Sequence, residues 1–152
     1  MTDYQPRGKY FEEFELGMEF ATMGRTVTET DIVNFAGISG DYNSIHTDAE
    51  FAKATPFGER IAHGLLGLSI STGLLMQLGV MDGTVIAFMG LEWKFKAAVK
   101  IGDTIRAVGK VKQTKAMKPM GGGLVIVELR VLNQRNETTQ QGEMTVLIKS
   151  KA

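Results

Sequence analysis

The chain of 152 residues contains no cysteine. Disulfides, thiolate nucleophiles and cysteine-type zinc sites are thereby excluded, and the absence suits a reducing, cytoplasmic setting. Net charge is missing too. Lys plus Arg and Asp plus Glu stand at 17 each, so no overall field favours nucleic acid or an anionic membrane, and neither is expected as a partner. Nowhere do eighteen or more apolar residues run together as a membrane-spanning helix requires; the longest apolar stretch is broken by Gly, Ser, Thr and Gln. Residues 1–13 are polar and charged, unlike a secretory signal. Neither a repeat nor a low-complexity stretch is visible. The length fits a single domain, 1–152, able to bury a core without metal or disulfide.

Local signals are strong where they occur. Thr28-Glu29-Thr30-Asp31 has the form of a capping box. It predicts a helix over about 29–36, with Ile32, Val33, Phe35 and Ala36 on its apolar side and Gly37 and Gly40 ending it. A loop is expected over 41–47, a helical turn over 49–53 and a break at Pro56-Phe57-Gly58. From Gly64 to about Leu78 the apolar residues fall all round a helix, which must therefore be wrapped on most sides. Gly64, Gly67 and Gly73 interrupt it. An interior Gly costs about 1 kcal/mol relative to Ala, so a close-lying flat surface is implied.

The second half supplies that surface as strands. Leu91, Trp93 and Phe95 alternate with Glu92, Lys94 and Lys96, the period of a half-buried strand. Further strands are read over 104–112, around Val125, Val127, Leu129 and Val131, and through Met144, Val146 and Ile148, with an N-terminal strand over 19–27. Lys118-Pro119-Met120-Gly121-Gly122-Gly123 reads as a mobile hairpin loop and a candidate lid. The fold class expected is α+β: a long central helix wrapped by a curved antiparallel sheet of about five strands. The nine methionines are read as fillers of irregular core gaps.

The chemistry-bearing residues cluster between the first helix and the long one. Gly40-Asp41-Tyr42-Asn43-Ser44-Ile45-His46 brings a carboxylate, an amide and an imidazole into one irregular segment, and Ile61-Ala62-His63-Gly64 leads into the apolar helix. An Asp and a His five residues apart can converge on one water molecule. Unpaired backbone N–H groups at the start of the helix can meet an oxygen that becomes negative during reaction. Structural readings compete at each position. Asp41 after Gly40 suits an Asx turn, Asn43 suits a brace for the loop, and His63 reads first as a packing or capping residue. His46, Asp48 and His63 fit no familiar zinc spacing, so no metal is expected.

The run from Phe35 to Asp48, with its Asp-x-Asn-x-x-His segment, and Ile61-Ala62-His63-Gly64 resemble the MaoC-type dehydratases, the (R)-specific enoyl-CoA hydratases of the hotdog fold. The resemblance covers about 14–149. It implies a helix rolled in an antiparallel sheet and reversible syn addition of water to a trans-2-enoyl thioester. Neither metal nor nucleotide cofactor is implied, CoA or an acyl-carrier thioester being the substrate carrier. A homodimer joined through the sheet edges is expected, with higher assembly open. Asp41 and His46 match the family's catalytic pair, Gly64 the residue whose N–H meets the thioester carbonyl, and Asn43 a supporting loop residue. Thr72 falls where a supporting Ser stands, and Ser44 departs from the usual Pro.

The residues alone fit that reaction, which needs a base for the water, an acid for the α-carbon and stabilisation of an enolate oxygen. Imidazole titrates near neutrality and suits the base; which of Asp41 and His46 is the formal acid stays open. Two other readings compete: a hotdog acyl-CoA thioesterase and a non-catalytic acyl-thioester-binding protein. The absence of Asp or Glu from 64–78 counts against the first, and intact Asp41 and His46 count against the second. Lysines scattered along the strands read as the solvated face of the sheet.

Overall fold

The capping box forms as written, and it starts the first element that positions the site. In the computed structural model, which describes residues 5–151, helix α1 spans Glu29–Ser39. The Thr28 hydroxyl accepts from Asp31 N–H, and the Asp31 carboxylate accepts from Thr28 N–H at 2.8 Å. Arg25 adds a charged hydrogen bond to Asp31 at 2.5 Å. The helix runs past Gly37 and stops at Gly40, whose φ of 74° is the left-handed conformation that glycine adopts most readily. Both ends of the expected single domain, 1–4 and 152, lie outside the described residues, as does the first part of the polar stretch 1–13.

The segment 41–47 is partly helical. Asn43 caps a short helix α2, Ser44–Thr47, by accepting from Ile45 N–H at 3.1 Å, and Ser44 stands at its first position, where Pro is equally at home. Asp48 then caps α3, Ala49–Lys53, accepting from Glu50 N–H and Phe51 N–H. The long helix α4 spans Gly64–Gln77.

Among the described residues, six strands make one antiparallel sheet. They are β1 (Glu19–Ala21), β2 (Arg25–Thr26), β3 (Val85–Phe95), β4 (Thr104–Met117), β5 (Gly122–Leu132) and β6 (Thr138–Lys149). Their order is β1-β4-β5-β6-β3, with β2 also on β4. The expected N-terminal strand is thus two short pieces on one neighbour, which raises the count from five to six. Thr22 still exchanges hydrogen bonds with Ala107 before the chain leaves the sheet at Met23 and Gly24.

Helix α4 lies against this sheet through Leu66, Ile70, Leu74 and Leu75, all buried. They pack on Val27, Ile105, Val111, Val125, Val127 and Val131, among others. Each such side chain contributes about 1.5–3 kcal/mol on burial. The opposite side of α4 is open: Leu65 is 58% and Met76 46% exposed. A single chain therefore wraps one side of the helix, not most of it. Strand β3, at the sheet's end, is open as well, with Phe88, Met89, Leu91 and Phe95 all more than 40% exposed. The alternation expected for a half-buried strand does not appear as alternating burial: Trp93 is half-buried against the core, while Leu91 and Phe95 are exposed like Glu92 and Lys94 between them.

The glycine-rich hairpin is a tight structural turn. Lys118–Met120 forms one 3-10 turn and Gly121 takes φ 70°, while Gly122 and Gly123 already belong to β5. A Cβ on Gly123 would meet the Phe11 ring at 2.3 Å, and one on Gly122 the Ile148 carbonyl oxygen at 1.9 Å. Gly122 and Gly123 thus admit close neighbours within β5, which shortens the expected glycine loop to 118–121.

Candidate active site

The Asp41 loop is built from its own side chains. Ser39 Oγ accepts from Asp41 N–H, and Asp41 Oδ1 accepts from Asn43 N–H at 3.2 Å, an Asx turn. This turn uses one carboxylate oxygen and leaves the other for different work. Asn43 braces the loop twice, through that N–H and through its cap on α2.

His46 is held from the other side. The segment at Ile61 and Ala62 bridges the loop to the sheet: Ile61 N–H donates to Ile45 O, Ile61 pairs with Lys100, and Ala62 N–H donates to Val99 O. The Ile61 carbonyl lies 2.8 Å from His46 Nδ1. A carbonyl can only accept, so Nδ1 carries a proton, and in the neutral ring the lone pair is then on Nε2. The same logic fixes His63, whose Nε2 lies 2.9 Å from the Asp41 carbonyl and is therefore the protonated nitrogen. His63 is buried, and its Nδ1 has no partner among the described residues.

A carboxylate oxygen of Asp41 and one ring nitrogen from each of His46 and His63 all lie within 4.8 Å of one another. One water accepting or donating two hydrogen bonds of about 2.8 Å spans about 4.6 Å, so this is the spacing at which a single water can be shared. The same three groups also lie close enough together to ligate a metal ion; the expectation of none rests on the sequence spacing, which matches no familiar zinc pattern. The two imidazoles stack, with centroids 3.8 Å apart and planes 31° from parallel. Asp48, once considered with the two histidines, is occupied as the cap of α3.

His46 and Gly64 both line a cavity of about 440 Å³, within the range of small-molecule sites. Its other walls include Ile61, Leu65, Phe95, Ala97, Ala98, Val99 and Gln140. Gly64 opens the fourteen-residue α4, so its N–H has no carbonyl one turn behind it and none of the described residues accepts it. The helix dipole adds positive character there. Lys96 stands at the same cavity. Thr72 stands two turns along α4 from Gly64, roughly 12 Å along the axis at 1.5 Å per residue; it is not among the residues lining this cavity, and its hydroxyl donates to Ser69 O at 2.8 Å.

Two residues at this site carried no readable signal in the sequence. Gln140, 2% exposed, donates Nε2–H to the Gly64 carbonyl at 3.0 Å and accepts the Trp93 indole N–H at 3.0 Å. Its amide fills the space where a Cβ on Gly67 would sit, 2.3 Å away. Phe95 does the same at Gly64, where a Cβ would meet the ring at 2.7 Å. The flat surface implied by the helix glycines is thus two side chains from β6 and β3 at its first turns.

Comparison with known proteins gives a consistent family. A model described as MaoC like domain matches residues 13–133. Protein MaoC of Klebsiella aerogenes is 46% identical over 102 residues, which is 66% of this chain and 30% of that protein. An (R)-specific enoyl-CoA hydratase of Rhodospirillum rubrum is 38% identical over 98 residues, 64% of this chain and 66% of that enzyme. The chain therefore spans less than a third of the first relative's length and just under two thirds of the second's. Among solved structures, a monoamine oxidase regulatory protein from Archaeoglobus superposes with a TM-score of 0.89 at 39% identity, covering 95% of this chain and 97% of that one.

Proposed function

Because the chain belongs to the MaoC-like dehydratase family, we propose that it is an (R)-specific enoyl-thioester hydratase, adding water reversibly and in syn fashion to a trans-2-enoyl thioester carried on CoA or an acyl-carrier arm. One observation carries the reading: the Asp41 carboxylate and a His46 ring nitrogen lie within 4.8 Å of each other, beside the cavity that Gly64 lines. The name of the Rhodospirillum relative supports the substrate class.

In this reading His46 Nε2 and the free oxygen of Asp41 hold one water between them. Nε2 takes a proton as the water oxygen attacks the β-carbon, and the electron pair moves through the double bond onto the thioester oxygen. The Gly64 N–H meets that oxygen; a donor of this kind is commonly worth about 3–4 kcal/mol in the transition state. The proton then passes to the α-carbon on the face from which the hydroxyl came, which gives syn addition. All atoms come from one water and the substrate, so the step calls for neither metal nor nucleotide cofactor. The cytoplasm is the proposed setting. Among the described residues no helix is long and apolar enough to cross a membrane.

The thioesterase reading places a carboxylate on or beside the long helix to activate water against the carbonyl, and α4 itself holds none. The assay that separates the readings follows enoyl absorbance and free thiol together with crotonyl-CoA and longer trans-2-enoyl-CoAs. Loss of absorbance without thiol supports hydration. Thiol release identifies a thioesterase, and binding with neither signal identifies a non-catalytic acyl-thioester-binding protein.

A further inference from the structure

His63 stands outside the acid/base pair yet touches each part of the site. Its Nε2–H holds the Asp41 carbonyl at 2.9 Å. Its ring lies against His46 at 3.8 Å and against Phe35 at 5.0 Å. As N-cap of α4 it is bonded directly to Gly64, and its own carbonyl accepts from Leu66 N–H at 3.1 Å and Gly67 N–H at 3.3 Å. We infer that His63 is the positioning residue of the hydration site, a single buried ring that fixes the Asp41 loop, the plane of the His46 imidazole and the Gly64 N–H relative to one another.

The fold alone does not call for a histidine here. At 3% exposure the ring brings into the interior an Nδ1 that none of the described residues satisfies. A buried polar atom without a partner is destabilising, and an apolar ring of similar size would avoid it. Phenylalanine would keep the stack but release the Asp41 carbonyl, whereas glutamine could keep the donor but lose the stack. Histidine does both, at the expense of the orphaned nitrogen. Through it, a shift of the loop at Asp41 is transmitted to the first turn of α4.

The inference rests on the hydratase reading, and two measurements on the full chain keep the two separable. His63→Phe and His63→Gln are compared with the native protein by thermal melting and by kcat and KM for crotonyl-CoA hydration. His63→Phe is expected to melt at or above the native temperature while kcat falls by roughly 10- to 100-fold, the scale of a small misplacement of reacting groups, with KM changed by less than about twofold. His63→Gln recovers part of that loss. A kcat within about twofold of native in His63→Phe, or loss of kcat and melting temperature together, overturns the assignment. The second measurement needs no turnover. The chain has two histidines, so His63→Gln, which removes the stacked ring, leaves His46 as the one imidazole in the NMR spectrum, and relaxation of that ring should report a lower order parameter than in the native protein. An order parameter equal to the native one overturns the positioning role. A native protein inactive on every enoyl thioester would strike at the hydratase reading and leave the NMR result standing.

Discussion

The ring of Phe95 rests against the α-carbon of Gly64, so closely that a Cβ there would fall 2.7 Å from Cε1 and 2.8 Å from Cδ1. Only glycine permits the contact. Phe95 is 54% exposed, so its ring can swing aside, and Gly64→Ala is expected to fold. The displaced ring and the new methyl group would both intrude on the cavity wall next to the Gly64 N–H. We expect kcat/KM for enoyl-CoA hydration to fall by about 10²-fold, with the unfolding midpoint little changed. Phe95→Leu in the same chain should restore part of the rate by making room. A Gly64→Ala variant with native kinetics would show that neither the methyl group nor the displaced Phe95 ring reaches the reacting thioester.

Asp41→Asn and His46→Gln test the pair directly. Asparagine keeps the Asx turn to Asn43 N–H, because its side-chain oxygen accepts as the carboxylate does, but it carries no charge and no proton to pass. Glutamine at 46 loses the nitrogen lone pair of Nε2. Each substitution should lower kcat by at least about 10²-fold with KM nearly native, the pattern of a group that acts in the transition state. Steady-state kinetics with crotonyl-CoA, beside a binding measurement on the same variants, distinguishes lost chemistry from lost binding.

Much of this arrangement was legible before any coordinates. The capping box at Thr28 and Asp31, the left-handed stop at Gly40 and the start of α4 at Gly64 are local features, decided by residues within a turn of one another. The pairing of Asp41 with His46 was also legible, because five residues with an Asn cap between them leave few ways to close the loop. What was hidden depends on contacts distant in sequence. Gln140 lies 76 residues from the Gly64 carbonyl that it holds, and in its strand it reads as one polar residue among several. His63 offered the opposite difficulty: a packing reading was correct for its ring and silent about its Nε2–H to Asp41. Reading all the glycines after Pro119 as loop misplaces Gly122 and Gly123, which belong to β5, because flexibility and close packing select the same residue.

Asp31 gives the fold an acid-sensitive fastening far from the chemistry. Burial pushes its carboxyl upward, but the Thr28 N–H and hydroxyl together with Arg25 outweigh this and hold it below the ordinary carboxylate value. A folded value below the unfolded one, which is about 3.9, means that the stabilisation is fully present above that value. It is lost as the pH falls through the lower folded value. Asp31→Asn should therefore weaken the protein by about 1 kcal/mol near neutrality, the scale of a lost cap. Urea unfolding of both proteins from pH 7 down to pH 3 checks this: the gap between them should narrow at the acid end. A gap that widens with acidity would assign the effect to another group.

The open edge of β3 makes the last expectation one about assembly. Val85, Ile86, Phe88, Met89, Leu91 and Phe95 all lie on this end strand with more than a third of their surface exposed. The bare side of α4 adds Leu65 and Met76. An unpaired strand edge beside so much apolar surface invites another sheet edge, and a second copy of the chain can supply it by twofold symmetry. Phe95 belongs to this edge and also lines the cavity, so pairing would place the partner beside the site. Phe88, 55% exposed in the single chain, is the residue to change, since it contributes little to the core of its own subunit. Native protein should run as a dimer in light scattering after size exclusion, and Phe88→Glu should run as a folded monomer because pairing would then bury two unpaired carboxylates. Persistence of the native mass in Phe88→Glu would exclude this edge from the interface, and a native monomer would refute the homodimer itself.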